Sequence, residues 1–239
     1  MVTKTEEAKK HSEEGIWETV KVDFQSLLIA MVIRTLFFQP FNIPSGSMIP
    51  TLRIGDYLFV NKFSYGYGPY SFNMSLAPFG VQLFKFGPMP FEGRFMASEP
   101  KRGDVAVFKL PTDNDTDYIK RIIGLPGDKI IVNAGVLTIN GQQVQRTKTS
   151  DFTDGDPGAG SPIAQFTETL PNGVSYNTLD LYPYSSADNT GTFIVPKGHY
   201  FMMGDNRDNS TDSRFPSVGY VPYENLVGRA IVIFYSHND

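Results

Sequence analysis

The sequence predicts a mostly β fold: an antiparallel β-sheet body with a loop-rich insertion, preceded by one N-terminal transmembrane helix. Three observations carry the β assignment. Short β-branched or aromatic runs at 57–60, 105–108, 129–132 and 230–234 recur between Gly, Pro and Asp. Asn140-Gly141 separates the apolar run 136–139 from 142–144, and Asn-Gly suits the type I′ turn of a two-residue hairpin. After residue 40 no long amphipathic pattern and no repeat interrupts this β character.

Taken in order, residues 1–15 are polar and charged and predict a disordered cytoplasmic tail. Residues 24–38, FQSLLIAMVIRTLFF, form an apolar run that predicts a single transmembrane helix over 16–40. Its fifteen residues fall short of the ~20 a spanning helix needs. Ile16 and Trp17 extend it at the interface, and Arg34, near its end, can snorkel to the headgroups. A cleaved secretory signal is one rival, since its core is also short, but Gln39-Pro40-Phe41-Asn42-Ile43 follows instead of a small-x-small site. A surface amphipathic helix is the other. Lys4, Lys9, Lys10 and Lys21 precede the run and only Arg53 follows closely, which puts the N-terminus in the cytoplasm and exports the body. Pro40 and Pro44 stop the helix.

Residues 41–145 and 193–239 form the β-rich core. Within it, 65–98 is an aromatic insertion, read either as a covered hairpin or as a rim resting on lipid. Residues 146–192, rich in Asp, Thr, Ser, Gly and Asn, read as a loop-dominated subdomain without chemistry.

Composition removes several function classes. A net charge of −4 without a dense basic stripe gives no support for nucleic-acid binding. The absence of cysteine excludes disulfides, thiol catalysis and cysteine-based zinc sites. The chain has three histidines: His11 in the tail, His237 two residues from the end, and His199 at a turn entering a strand. A Ser-His-Asp triad would have to rest on His199, so an amine is the better candidate for a general base.

Ser47 lies in Pro44-Ser45-Gly46-Ser47-Met48-Ile49-Pro50-Thr51-Leu52. Gly46 permits a tight backbone that exposes a nucleophile, and the flanking prolines stiffen the loop. An ordinary Ser-Gly-Ser turn is the plainer reading. Lys120 lies in Asp117-Tyr118-Ile119-Lys120-Arg121, where strand alternation puts Tyr118 and Lys120 on one face. A lysine with its ordinary pKa of about 10.4 is protonated at neutral pH and needs apolar burial to serve as a base; otherwise it is a surface lysine. The run 204–214, GDNRDNSTDSR, is dense in polar groups. Calcium is an alternative at Asp208, Ser210 and Asp212, but Ser213 stands where that loop needs glycine and Gly219 where it needs glutamate. A polar network shaping the active site, with Asp212 pairing Arg214 and Ser210 orienting an amine, fits better.

Four blocks, PSGSMIPTL at 44–52, RGDVAVF at 102–108, DYIKRIIGLPGD at 117–128 and GDNRDNSTDSR at 204–214, together resemble bacterial type I signal peptidase, a membrane-anchored Ser/Lys protease family. The resemblance implies Ser47 as nucleophile and neutral Lys120 as general base. It implies Ser45 in the oxyanion hole, Ser210 positioning the amine, and Asp212 with Arg214 as supporting pair. Phe108, Tyr118 and Met202 would surround the lysine. Ile43, Met48, Leu52, Tyr118 and Ile119 would line the shallow pocket that favours Ala-x-Ala sites. No metal or cofactor is implied. The resemblance implies as partners exported pre-proteins bearing signal peptides, membrane lipid and a nearby secretion translocon, without nucleic acid. It implies as address the bacterial inner membrane, single-pass, with the catalytic domain outside. Three features depart from the family: some members carry two spans, members with a large second β domain can carry a disulfide that a chain without cysteine lacks, and 65–98 is long for a minimal member. A conjugation-linked processing relative with the same dyad, and a membrane-anchored β-rich binding module, are the rival readings.

Overall fold

The structure is a computed structural model that describes residues 3–72, 74–76, 84–153, 162–182 and 184–237. Among the described residues one α-helix, α1 (Thr3–Leu36), leads into β1 (Phe38–Asn42). The strands that follow are β2 (Asp56–Asn61), β3 (Met74–Leu76), β4 (Phe84–Phe86), β5 (Val105–Lys109) and β6 (Asp117–Gly124). Next come β7 (Lys129–Asn133), β8 (Val136–Ile139), β9 (Gln142–Gln143), β10 (Gln145–Lys148), β11 (Ala164–Thr169) and β12 (Ser175–Asp180). The chain closes with β13 (Phe193–Ile194), β14 (His199–Met203), β15 (Val221–Pro222) and β16 (Leu226–Ser236).

Two boundaries differ from the sequence reading. Helix covers residues assigned to a disordered tail, because Glu, Lys and Ala dominate 4–15 and all are strong helix formers. At the other end the helix stops at Leu36 rather than 40. Pro40 cannot donate to a ladder and sits on β1, the edge strand of its sheet. Apolar side chains along α1, including Phe24, Leu27 and Ile29, are exposed. Among the described residues no helix is long and apolar enough to cross a membrane. Arg34 within the run and Asp23 and Lys21 beside it hold the hydropathy down.

The main sheet has the order β1-β2-β16-β5-β6-β14-β15, with antiparallel pairing throughout. Its period-two alternation sorts side chains onto two faces. On one side Phe108, Ile122, Tyr200, Met202 and Leu226 form a core with Tyr118 against it. On the other, Ile43, Met48, Leu52, Leu58, Val60 and Val107 pack together with Ile119 against them. A second sheet, β13-β7-β8-β9, holds the anticipated hairpin. Asn140 and Gly141 have φ of 53° and 80°, the positive values that turn demands.

The 146–192 stretch is not loop-dominated where it is described. It contributes β11 and β12, which join β10 in a three-stranded antiparallel sheet. The strands read AQFTET and SYNTLD, with few apolar residues, so no apolar alternation marks them in the sequence. The 65–98 insertion contains the β3–β4 hairpin, and its Phe95 and Met96 are exposed.

Candidate active site

Ser47 lies in a single 3-10 turn, Gly46–Met48, a few residues beyond β1. Lys120 stands on β6 directly opposite Ala106 of β5. The Lys120 Nζ is 2.7 Å from Ser47 Oγ and donates to the Ile119 carbonyl at 3.0 Å. Only 4% of Lys120 is exposed. Burial pulls its amine down to about 8, although the carboxylates of Asp212 and Asp205 act in the opposite direction. The walls that cause this are visible. The Tyr118 ring centroid lies 5.3 Å from Nζ, Phe108 sits 6.0 Å from Tyr118, and Met202 is fully buried in the same core. A neutral amine at this distance can take the serine proton along the line of the existing contact.

Ser45 is exposed, and its hydroxyl lies 3.4 Å from Ser47 Oγ. Ser210 departs from the sequence expectation. Its hydroxyl donates to Asp212 Oδ2 at 2.8 Å, whereas the amine of Lys120 donates to Ser47 Oγ and the Ile119 carbonyl. Asp212 is a stronger acceptor than any neutral partner. Burial by itself would raise the Asp212 pKa. The Arg214 charge and the hydrogen bonds from Arg214, Gly204 and Ser210 overcome it and hold the carboxyl below its ordinary value. The Asp212–Arg214 pair is thus present, at 2.8 Å. The calcium alternative does not fit this geometry. Asp208 accepts the backbone N–H groups of Leu181 and Tyr182, while Asp212 is committed to Arg214.

Of the five residues assigned to the pocket, Ile43, Met48, Leu52 and Ile119 share one apolar cluster. Tyr118 lies on the opposite face of β6, in the cluster around the lysine. Met48 is completely buried, so it forms a floor and not a wall. An open apolar cleft of about 380 Å³ adjoins this region, lined by Thr51, Leu52, Leu58, Val105 and 230–233.

Three supporting contacts were not legible in the sequence. Asn206 holds the nucleophile turn at two points: its N–H donates to the Ser47 carbonyl at 3.1 Å and its Nδ2 to the Gly46 carbonyl at 3.0 Å. Arg121 and Asp205 form a buried pair that also engages Thr51 and the Gly103 carbonyl. The insertion sheet reinforces the same loop through Glu168, whose carboxylate receives two hydrogen bonds from Arg207 and one from Tyr176. The density of polar residues in 204–214 announced a network, but each of these partners is remote in sequence.

A family model described as signal peptidase, peptidase S26, matches residues 16–235 of the chain. A curated Signal peptidase I from Rickettsia typhi (strain ATCC VR-144 / Wilmington) is 44% identical over 229 residues, covering 92% of this chain and 81% of that protein. One from Rickettsia prowazekii (strain Madrid E) is 43% identical over 229 residues, with the same coverage of 92% and 81%. The crystal structure of a signal peptidase I from Enterococcus faecalis V583 matches at 25% identity and a TM-score of 0.32, covering 55% of this chain and 97% of that one.

Proposed function

The chain belongs to the signal peptidase family, peptidase S26, and we propose that it cleaves signal peptides from exported pre-proteins with a Ser47/Lys120 dyad. The observation that carries this reading is the 2.7 Å contact between Ser47 Oγ and a buried Lys120 amine whose pKa is about 8. Neutral Lys120 takes the Ser47 proton as Ser47 Oγ attacks the carbonyl of the signal's last small residue. The Ser47 N–H and the Ser45 hydroxyl hold the oxyanion. Lys120 returns the proton to the departing amine of the mature protein and then activates the water that releases the signal peptide. The apolar cluster of Ile43, Met48, Leu52 and Ile119 would receive the small residue before the scissile bond, the basis of an Ala-x-Ala preference.

Attachment to the bacterial cytoplasmic membrane runs through the apolar stretch of α1, with the N-terminus inside and the β body on the outer side, near the translocon. The exposed side chains of Ile231, Val232, Ile233, Phe234 and Tyr235 on β16, together with Tyr57 on β2, add a lipid-facing surface. The reading is tested with a secretory precursor whose cleavage site is Ala-x-Ala, digested by wild type, Ser47→Ala and Lys120→Met in detergent. Cleavage by wild type alone supports it; correct cleavage by either variant would refute the dyad.

A further inference from the structure

The junction between α1 and the catalytic sheet is built from side chains that the dyad chemistry does not use. Lys62, only 2% exposed, extends its amine to the Thr35 carbonyl at 3.3 Å and to the Ser71 carbonyl at 2.5 Å. Tyr67 donates its hydroxyl to the Leu36 carbonyl at 2.6 Å. The Lys62 N–H adds a bond to the Phe37 carbonyl at 3.1 Å. Three consecutive carbonyls at the end of the helix, groups that have no partner within a helix, are therefore held by one short segment of the body. Tyr67 is itself fixed, stacked on Phe72 at 5.5 Å and paired through its backbone with Phe95.

From this clamp the chain runs straight to the nucleophile. Strand β1 begins at Phe38, spans about 17 Å at the usual rise per residue, and delivers Ile43. The backbone of Ile43 is tied to Asp56 and Gly55 immediately before the Ser47 turn. Helix end, strand and nucleophile turn thus form one strut, pinned at both ends. A tilt of α1 at the clamp would move Ser47 relative to whatever surface the helix occupies.

We propose that Lys62 and Tyr67 are positioning residues that fix the height and orientation of Ser47 above the membrane, and so determine which bond of a membrane-held precursor reaches the dyad. This rests on the membrane attachment proposed above. A short soluble peptide finds its own way to Ser47 and is indifferent to the clamp. A precursor whose signal segment lies in lipid presents its cleavage site at a fixed height and is not.

The test compares two substrates for the full chain reconstituted in phosphatidylethanolamine/phosphatidylglycerol vesicles: a soluble Ala-x-Ala peptide, and a precursor inserted in the same vesicles, with products identified by mass spectrometry. Lys62→Met removes the amine, and Tyr67→Phe removes a single hydroxyl, which guards against a folding defect in the first. For both variants the expected result is peptide kcat/KM within about twofold of wild type. Precursor cleavage should be at least tenfold slower, or displaced by one or more residues. Equal behaviour on both substrates, whether unchanged or lowered in parallel with thermal stability, would overturn the proposal. Wild type that cleaves the peptide but neither sediments with the vesicles nor cleaves the inserted precursor would overturn the membrane reading itself.

Discussion

Arg121 grips Asp205 through two hydrogen bonds, Nε to Oδ1 at 2.8 Å and Nη2 to Oδ2 at 2.6 Å. The pair joins three pieces of the site. Arg121 follows Lys120 on β6, Asp205 opens the polar loop, and Thr51, in the nucleophile segment, donates to Asp205 at 2.5 Å. The guanidinium also lies 4.1 Å over the Tyr176 ring, so the insertion sheet covers its open face.

Removing one partner leaves the other charge buried and unpaired. Asp205→Asn is therefore predicted to cost about 3–5 kcal/mol of folding stability and to lower precursor cleavage. Denaturant unfolding and initial rates, measured on one preparation, check both effects.

Asn206 acts on the nucleophile without entering the reaction. Asn206→Ala releases the Gly46 carbonyl and leaves it short of a partner in a buried setting, at a cost of about 1–3 kcal/mol. A fall in kcat with KM nearly unchanged is expected, because Ser47 loses its orientation while the apolar cluster stays in place. Steady-state kinetics on an Ala-x-Ala peptide separates the two parameters.

Gly204 has no room for a side chain. A Cβ there would come within 2.6 Å of the Ser47 carbonyl oxygen and would also strike Ser210. Gly204→Ala should thus displace the nucleophile turn and lower activity by at least tenfold, with most of the sheet intact by circular dichroism. Near-wild-type turnover would show that the turn can shift without consequence.

Lys120 also leaves a signature in stability. Its folded pKa of about 8 lies below its ordinary value of 10.5, so between those values the unfolded chain binds more protons than the folded one. Stability from this group accordingly rises as pH rises from about 8 to 10.5, and the burial penalty is present in full below that window. Lys120→Met removes the penalty. At pH 7 it is predicted to be inactive yet at least as stable as wild type, by up to about 3 kcal/mol. Its unfolding midpoint should also rise less than that of wild type between pH 8 and 10.5. Thermal or urea unfolding across that range measures the difference.

Local patterns made much of the fold legible. The runs at 57–60, 105–108, 129–132 and 230–234 all lie within strands, since each is apolar, β-branched or aromatic and bounded by turn residues. Asn140-Gly141 marked its hairpin because few other pairs adopt two positive φ angles in succession. Strands β11 and β12 were hidden because Thr, Ser and Asn read equally well as loop. Within the site, Ser47 and Lys120 stood out through their surroundings in sequence. The partner of Ser210 did not, because which polar group a hydroxyl meets is set by distances that spacing does not encode. The Arg121–Asp205 pair spans 84 residues and was invisible for the same reason.

Catalysis by this dyad requires Lys120 to act as an uncharged base at moderate pH, and the pH dependence of kcat/KM for a soluble Ala-x-Ala peptide reads that most directly. The predicted profile has an acid limb whose midpoint lies near 8, the value that burial gives the amine. A midpoint near 10.5, the ordinary lysine value, or a profile that survives in Lys120→Met, would contradict it.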